Sequence, residues 1–347
     1  ATKWRLSSRL SGGLSGKRYR FSQVPALMAK VFVALRLTSW EREILESALL
    51  GLAEVAYLRS ESYEGIEDAE AAIALQLPLQ ALDRARRLRF VQVPAAGVDW
   101  LNVKELAARG ITVASAKGCN ARAVAEHALA LIFALAKRIA LQDSELKRGS
   151  WLRYVEENFL QDIEGSTLAI VGYGSIGREL ARMAKALGMK VIGVRRNPQP
   201  DGVADLVCGV EELHRVLGEA DYVVVALPLT EETRGLIGER ELRAMKRSAY
   251  LINVGRGPVV DEKALRRALE EGWIAGAGID VWWLYPPEEG WPSREGIHKL
   301  PNVVATHHKA GWTRKSREAC LRFSAENVAR FLSGLKPLNV VEPGQWY

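Results

Sequence analysis

The apolar positions of the chain fall into short continuous runs separated by segments that are apolar on one helical face. Val31–Leu35, Val55–Leu58, Ala71–Leu75 and Leu88–Val93 read as strands, with a helix over Glu41–Leu50 and a glycine turn at Ala95-Ala96-Gly97. A helix over Val124–Lys137 is apolar on most faces, which predicts a buried helix. A second, clearer series starts at Thr167. It places strands at Leu168–Val171, Lys190–Val194, Tyr222–Leu227, Tyr250–Val254, Gly276–Val281 and Val303–Thr306, and a helix over Arg178–Leu187 ended by Gly188. Strand–helix alternation of this kind predicts parallel sheets covered by helices. After Gly311 a long helix runs through Phe331 and is followed by Leu338–Val341. This tail is expected to return to the first series, which makes the first domain discontinuous.

Composition narrows the class. The 347 residues suffice for two domains. With 48% apolar and 26% charged residues, a disordered chain, a collagen and a coiled coil are excluded. The longest nearly unbroken apolar run, Ala128–Ala136, falls far short of the ~18–20 residues that cross a bilayer, so no membrane partner is expected. The net charge of +7 suggests nucleic acid until it is located: six of the 48 basic residues lie in residues 1–27, which hold no acid. The other 42 nearly balance the 41 acidic residues, so no nucleic-acid partner is expected. The Ser- and Gly-rich segment 1–27 is expected to be a flexible extension, with the biological start at Met28. Cys119, Cys208 and Cys320 are widely spaced and lack a CxxC pair. Neither a disulfide scaffold nor a metal site is expected from them, and they fit a reducing cytoplasm.

Gly172-Tyr173-Gly174-Ser175-Ile176-Gly177 follows a buried strand and opens a helix, the setting in which GxGxxG binds a dinucleotide. Gly172 allows the tight turn, Gly174 lets the backbone approach a pyrophosphate, and Gly177 permits close helix–strand packing. The free amides and the positive helix end then hold the phosphates. Enzymes that use NAD usually carry an acidic residue about 20 residues further on, for the ribose hydroxyls. Here the second strand ends in Val194-Arg195-Arg196-Asn197. Two guanidiniums attract a 2′-phosphate where a carboxylate would repel it. Charge-assisted hydrogen bonds of about 1.5–3 kcal/mol each favour NADP over NAD.

Taken together, the chain from about Met28 to Val341 resembles the D-isomer-specific 2-hydroxyacid dehydrogenases, in particular the glyoxylate and hydroxypyruvate reductases, which are related to formate dehydrogenase. The resemblance rests on Val124-Ala-Glu126-His127, Gly172–Gly177, Leu227-Pro228-Leu-Thr230, Ile252-Asn253-Val254-Gly255-Arg256-Gly257, Gly278-Ile-Asp280-Val281 and Pro301–Gly311. It implies two doubly wound parallel-sheet domains, a Rossmann cofactor domain and a flavodoxin-like substrate domain, with a cleft between them. Residues 28–120 and 312–347 would form the substrate domain and 121–311 the cofactor domain. A nicotinamide hydride would add to a carbonyl carbon, Arg256 would hold the carboxylate or carbonyl oxygen, and His308 would be the acid/base. His307, where the family usually has proline, is the rival candidate. The amides of Ala96 and Gly97 would hold the substrate carboxylate, with Asn120 in reach of the cleft. Leu227, Pro228, Thr233, Asn253, Val254, Gly255, Asp280 and Gly311 would line the cofactor path, Asp280 meeting the nicotinamide carboxamide.

The departure from the family is at Tyr285, where a Glu normally raises the histidine pKa. A phenol can orient the imidazole but brings no charge near neutrality. Glu288 and Glu289 lie close by in sequence. Trp282, Trp283, Trp291 and Trp312 are expected around the cleft, as substrate pocket or as packing. Val124–Lys137 with Glu145–Tyr154 resembles the family's dimerisation arm and implies a homodimer. Cys119-Asn120 leaves a formate-type dehydrogenase as an alternative, and the altered position 285 leaves a cofactor-sensing binding protein.

Overall fold

The computed structural model describes residues 28–59 and 62–341, so the basic segment 1–27, expected to be a flexible extension, lies outside the described residues. The first part builds β1 (Ala29–Ala34), α1 (Ser39–Leu49), β2 (Ala53–Tyr57), β3 (Ala71–Ala74), α2 (Leu79–Arg84), β4 (Phe90–Val93), α3 (Val103–Ala108) and β5 (Thr112–Ser115). Its five strands are parallel in the order β2-β1-β3-β4-β5. Alternation along β1 sends Phe32 to one face, with Leu82 and Leu106 of α2 and α3, and Val31 and Val33 to the other, with Leu45 and Leu49 of α1.

The second part begins with α4 (Ala121–Ala136) and α5 (Ile139–Lys147). It continues through β6 (Thr167–Val171), α6 (Ser175–Ala186), β7 (Lys190–Val194), β8 (Leu206–Cys208), α7 (Leu213–Glu219) and β9 (Tyr222–Val225). α8 (Glu239–Ala244), β10 (Tyr250–Asn253), α9 (Glu262–Glu270), β11 (Gly276–Ile279) and β12 (Val303–Ala305) complete it. The parallel sheet has the order β12-β11-β10-β9-β6-β7-β8, which reverses direction at β6 and leaves a crevice at the strand ends there. α4 and α6 cover one face through Leu131, Ile132, Leu135 and Leu180; Leu217, Leu242 and Leu265 of α7, α8 and α9 cover the other.

α10 (Arg314–Leu332) returns to the five-stranded sheet, burying Leu321, Ala325 and Val328 with the α1 face. Glu41 ties the two helices: one oxygen closes the capping box at Thr38 (2.8 Å), the other accepts from Arg317 Nε (2.6 Å). The chain then runs on to bridge Val340 to Ala114 of β5. β5 and β8 are not among the strands read from the sequence. Among the described residues no helix is long and apolar enough to cross a membrane.

The cysteines require a correction. Cys119 and Cys320 form a disulfide, spanning 201 residues of sequence, and Cys208 is the free, buried thiol. Sequence spacing could not reveal this pair, because α10 folds back beside the Gly118-Cys119-Asn120 turn only in three dimensions. The cysteines therefore no longer argue for a reducing compartment. For so long a loop the chain-entropy model gives about 5 kcal/mol of stabilisation. We expect thiol titration of the unfolded, unreduced chain to find one thiol, and Cys320→Ser to lower the melting midpoint by about 5 °C or more. Three titratable thiols before reduction would contradict the pairing.

Candidate active site

The C-terminal ends of strands from both sheets open onto one cavity of about 700 Å3. Ala34–Arg36 after β1, Leu75 and Gln76 after β3, and Ala95–Gly97 after β4 line it from the five-stranded sheet. Arg256, following β10, and His308, following β12, line it from the seven-stranded sheet, and Asn120 stands at the crossing between the two. The arginine, the histidine, Ala96, Gly97 and Asn120, singled out from sequence, are thus brought together.

Arg256 is held in a fixed attitude. Its Nε and Nη2 donate to Asp99 Oδ2 at 3.1 and 2.7 Å, and Nη1 donates to the Gly255 carbonyl at 2.8 Å. A guanidinium has five N–H groups, so one remains on each terminal nitrogen for a further acceptor. Asp99 follows β4, and the ion pair therefore joins loops of the two sheets. The guanidinium passes directly over Gly97, where an added Cβ would lie 1.9 Å from Nη2 and 2.7 Å from Asp99 Oδ2. Behind it, Asn253 is wholly buried; its Oδ1 accepts from Gly255 N (3.1 Å) and its Nδ2 donates to the Arg256 carbonyl (3.0 Å). Asn253 thus shapes the turn that carries Arg256, with Val254 buried beside it.

His308 has a φ of +54°, a left-handed conformation unusual for a side chain of this size. Asp280 fixes it: the Lys309 and Ala310 amides donate to its two oxygens at 3.1 and 3.0 Å, and the Thr306 hydroxyl adds a 2.6 Å bond. His127 Nε2 lies 3.0 Å from Thr306 Oγ1 and completes the cluster, a structural part, while Glu126 pairs with Arg122 at the surface. Asp280 is completely buried and clamps the histidine loop through these three bonds. His307 is exposed and has no hydrogen-bond partner among the described residues.

The Tyr285 hydroxyl is 2.7 Å from His308 Nδ1 and accepts from the Trp282 amide at 3.2 Å. Trp100 packs edge-on against the Tyr285 ring, with centroids 5.6 Å apart. Glu288 and Glu289 remain exposed. His308 is open to the cavity yet closely surrounded by protein, and its pKa is pushed below the ordinary imidazole value, first by burial and then by Arg256. Asp280 and Asp99 offset this in part. Burial pushes the Tyr285 phenol up, so it stays neutral.

At the start of α6, Gly172 has φ +97°, and a Cβ there would come within 2.8 Å of the Ala226 backbone. Its amide and that of Tyr173 both donate to the Val194 carbonyl at 3.0 Å, pinning the turn to β7. Gly174 and Ser175 are exposed at the helix head and Ile176 is half-buried, so the unsatisfied first-turn amides face solvent where a pyrophosphate fits. A Cβ at Gly177 would meet Ile170 at 2.9 Å. The Tyr173 ring is buried over Gly193 and its hydroxyl bonds to Asp201 at 3.1 Å. Arg195 and Arg196, just past β7, are exposed and form no salt bridge among the described residues. In the loop after β9, Leu227 is half-buried, Pro228 is exposed, and the Thr233 hydroxyl donates to the Pro228 carbonyl at 2.7 Å, closing the turn rather than reaching outward. Gly311 abuts Asn120, whose Nδ2 a Cβ would meet at 2.6 Å; Asn120 Oδ1 is buried without a partner among the described residues. A bared helix head and an orphaned amide oxygen suit a nicotinamide dinucleotide.

Trp282 and Trp283 pack into the core of the seven-stranded sheet and donate to the Thr306 and Val260 carbonyls, whereas Trp291 and Trp312 are exposed. Trp100, not singled out from sequence, is the tryptophan that lines the cavity. Asp99 was likewise visible only as part of a loop, since nothing in the chain pairs it with an arginine 157 residues away.

Comparison with known proteins gives a consistent picture. The profile described as D-isomer specific 2-hydroxyacid dehydrogenase, NAD binding domain, matches residues 129–310. A glyoxylate reductase of Korarchaeum cryptofilum is 38% identical over 80% of this chain and 84% of its own length. A glycerate dehydrogenase of Methylorubrum extorquens is 36% identical over 83% of this chain and 90% of its own. The crystal structure of a D-isomer specific 2-hydroxyacid dehydrogenase from Xanthobacter autotrophicus, in complex with NADPH and MES, superposes with a TM-score of 0.77 at 29% identity, covering 93% of this chain and all of that one.

The crowding at Gly97 yields a direct test. Gly97→Ala is expected to leave the melting midpoint within a few degrees of the parent, because the obstructed atom is the end of a flexible side chain. The displaced guanidinium is expected to reduce kcat/KM for glyoxylate about 100-fold, measured by nicotinamide absorbance.

Proposed function

The chain belongs to the D-isomer specific 2-hydroxyacid dehydrogenase family and interconverts 2-oxo acids and 2-hydroxy acids with a nicotinamide cofactor, and from that premise we propose that it works as an NADP-preferring reductase of a 2-oxo acid to the D-2-hydroxy acid. The observation that carries this reading is the meeting of Arg256, His308 and the Ala96–Gly97 loop in one cavity. The two guanidinium N–H groups left free by Asp99 and Gly255 suit the carboxylate and carbonyl oxygen of a 2-oxo acid, with the Ala96 and Gly97 amides as further donors. When bound, the dihydronicotinamide supplies the hydride that reaches the carbonyl carbon. His308 then gives a proton to the oxygen as negative charge develops there, and Arg256 stabilises that charge. The proton on His308 is restored from solvent.

Tyr285 acts through the imidazole. The Trp282 amide donates to the phenol oxygen, which directs the phenol proton to Nδ1 of neutral His308 and leaves Nε2 carrying the ring proton. When the ring is cationic, Nδ1–H donates to the same oxygen instead. The phenol thus orients both forms without favouring the charged one, and the geometry supports a reductase whose acid is strong and easily lost. Arg195 and Arg196 support NADP by their exposure just past β7, although Glu232 lies close enough to Arg196 to feel its charge. The apolar side chains of Ile139, Leu146, Trp151, Tyr154 and Phe159, all more than half exposed on and after α5, support a homodimer in which a second copy covers them.

Two measurements test the reading. kcat/KM for NADPH is expected to exceed that for NADH by about 10–100-fold, and the double variant R195A/R196A to abolish the difference; a parent enzyme that prefers NADH would overturn it. For pH, reduction needs protonated His308, whose pKa is lowered from its usual value, so activity is lost as pH rises through a value below 6.5. Tyr285→Glu places a negative charge beside Nδ1 and is expected to move that limb above about pH 7. A parent profile that stays level beyond that point would refute the assignment.

A further inference from the structure

The cavity is much larger than the smallest substrate of such an enzyme needs. A two-carbon oxo acid has five heavy atoms; at about 30 Å3 each, the share of a liquid water, it fills about 150 Å3. The cavity is about 700 Å3, so room remains after a nicotinamide ring has entered. Where that room leads is set by the sheet order. The Ala95–Gly97 loop follows β4, and β3 and then β1 come next in the order β2-β1-β3-β4-β5. Strands lie about 4.8 Å apart, so the end of β1 is about 10 Å from the loop that faces Arg256 and His308. Gly97, Leu75 and Gln76, and Arg36, at the ends of β4, β3 and β1 in turn, all line the cavity.

Arg36 is the second guanidinium in the cavity lining, and it is exposed with no ion-pair partner among the described residues. Of the other arginines in this sheet domain, Arg84 pairs with Glu67, Arg89 with Glu70 and Arg109 with Asp83, Arg42 lies over the Tyr57 ring, and Arg86 forms no salt bridge among the described residues but does not line the cavity. Leu35, Leu58 and Tyr63 line the cavity with Arg36, and no carboxylate is among the lining residues. An unmatched planar fork in a cavity without a carboxylate suits a carboxylate or a phosphate brought by a ligand.

Resting on the reading above, we infer that Arg36 is a specificity-determining residue that receives a second anionic group on the side chain of the 2-oxo acid. The distances suit this. With the first carboxylate at the Ala96–Gly97 amides and the reacting carbon beside His308, a five-carbon diacid spans four bonds of about 1.5 Å each, or about 5 Å end to end. The flexible stem of Arg36 covers the rest of the 10 Å. A monoanionic oxo acid of the same length leaves the guanidinium without a partner and gains only apolar contact.

Steady-state kinetics with matched pairs test the assignment: 2-oxoglutarate against 2-oxopentanoate for a distal carboxylate, and 3-phosphohydroxypyruvate against hydroxypyruvate for a distal phosphate. In the parent enzyme, kcat/KM for the doubly anionic member of at least one pair is expected to exceed that of its partner 10–100-fold, and the pair that responds identifies the anion. Arg36→Gln is expected to lower that ratio by a similar factor, with Arg36→Lys in between. Added salt is expected to lower the ratio in the parent and to leave it flat in Arg36→Gln. A parent ratio near or below one in both pairs, or an Arg36→Gln variant that keeps the ratio, would overturn the inference while leaving the reductase reading intact. Absence of turnover with all four acids and with glyoxylate would remove the reductase reading, and this inference with it.

Discussion

One ion pair, Asp99 with Arg256, sets the geometry on which the site depends. It connects a loop of the five-stranded sheet to a turn of the seven-stranded sheet, and both partners are about one-quarter exposed. At that exposure the pair contributes little to stability, since Coulomb attraction between partly hydrated ions is largely offset by desolvation and side-chain ordering. Its effect is on orientation. Two donors of the guanidinium are committed to the carboxylate and a third to Gly255, which removes rotation about the last side-chain bonds and presents the remaining donors to the cavity. The charge on Arg256 is also partly balanced by Asp99, which moderates its pressure on His308.

The histidine is held by a different device. A left-handed residue outside glycine costs about 1–3 kcal/mol, and such strain persists only where neighbouring groups over-determine it. Asp280 supplies that determination with three accepted hydrogen bonds from Thr306, Lys309 and Ala310 in a fully dry setting. Tyr285 then fixes the ring from Nδ1. The residues that touch a reacting molecule are few; most of the sequence pattern around them, Asn253 and Asp280 included, shapes the two turns that aim them.

Much of this was legible in the chain itself. Continuous apolar runs with helices between them gave the parallel sheets, and the placement of Gly172–Gly177 after a strand gave the nucleotide turn. Arg256 and His308 were legible through the family resemblance of the segments that carry them, and their place just past strand ends agreed with it. What stayed hidden depends on proximity that no local pattern encodes. Asp99 meets Arg256 across 157 residues, and Cys119 meets Cys320 across 201. Tyr173 adds a contact of the same kind: its ring fills the recess left by Gly193 on the neighbouring strand, which no spacing within GxGxxG encodes. The hold of Asp280 on Thr306, Lys309 and Ala310 spans 26 to 30 residues and is equally absent from any local pattern.

The disulfide has a topological consequence. The chain crosses between the sheet domains twice, once through the turn at Cys119 and once ahead of α10, which carries Cys320. The bond therefore draws shut the neck of a covalent ring that contains the whole seven-stranded unit. Whatever that unit does, whether swinging on its stalk or losing its fold entirely, its entry and exit points on the smaller sheet stay a fixed distance apart. The five-stranded unit thus keeps its C-terminal helix fastened in place independently of the larger half, like a purse whose drawstring holds when the bag is empty.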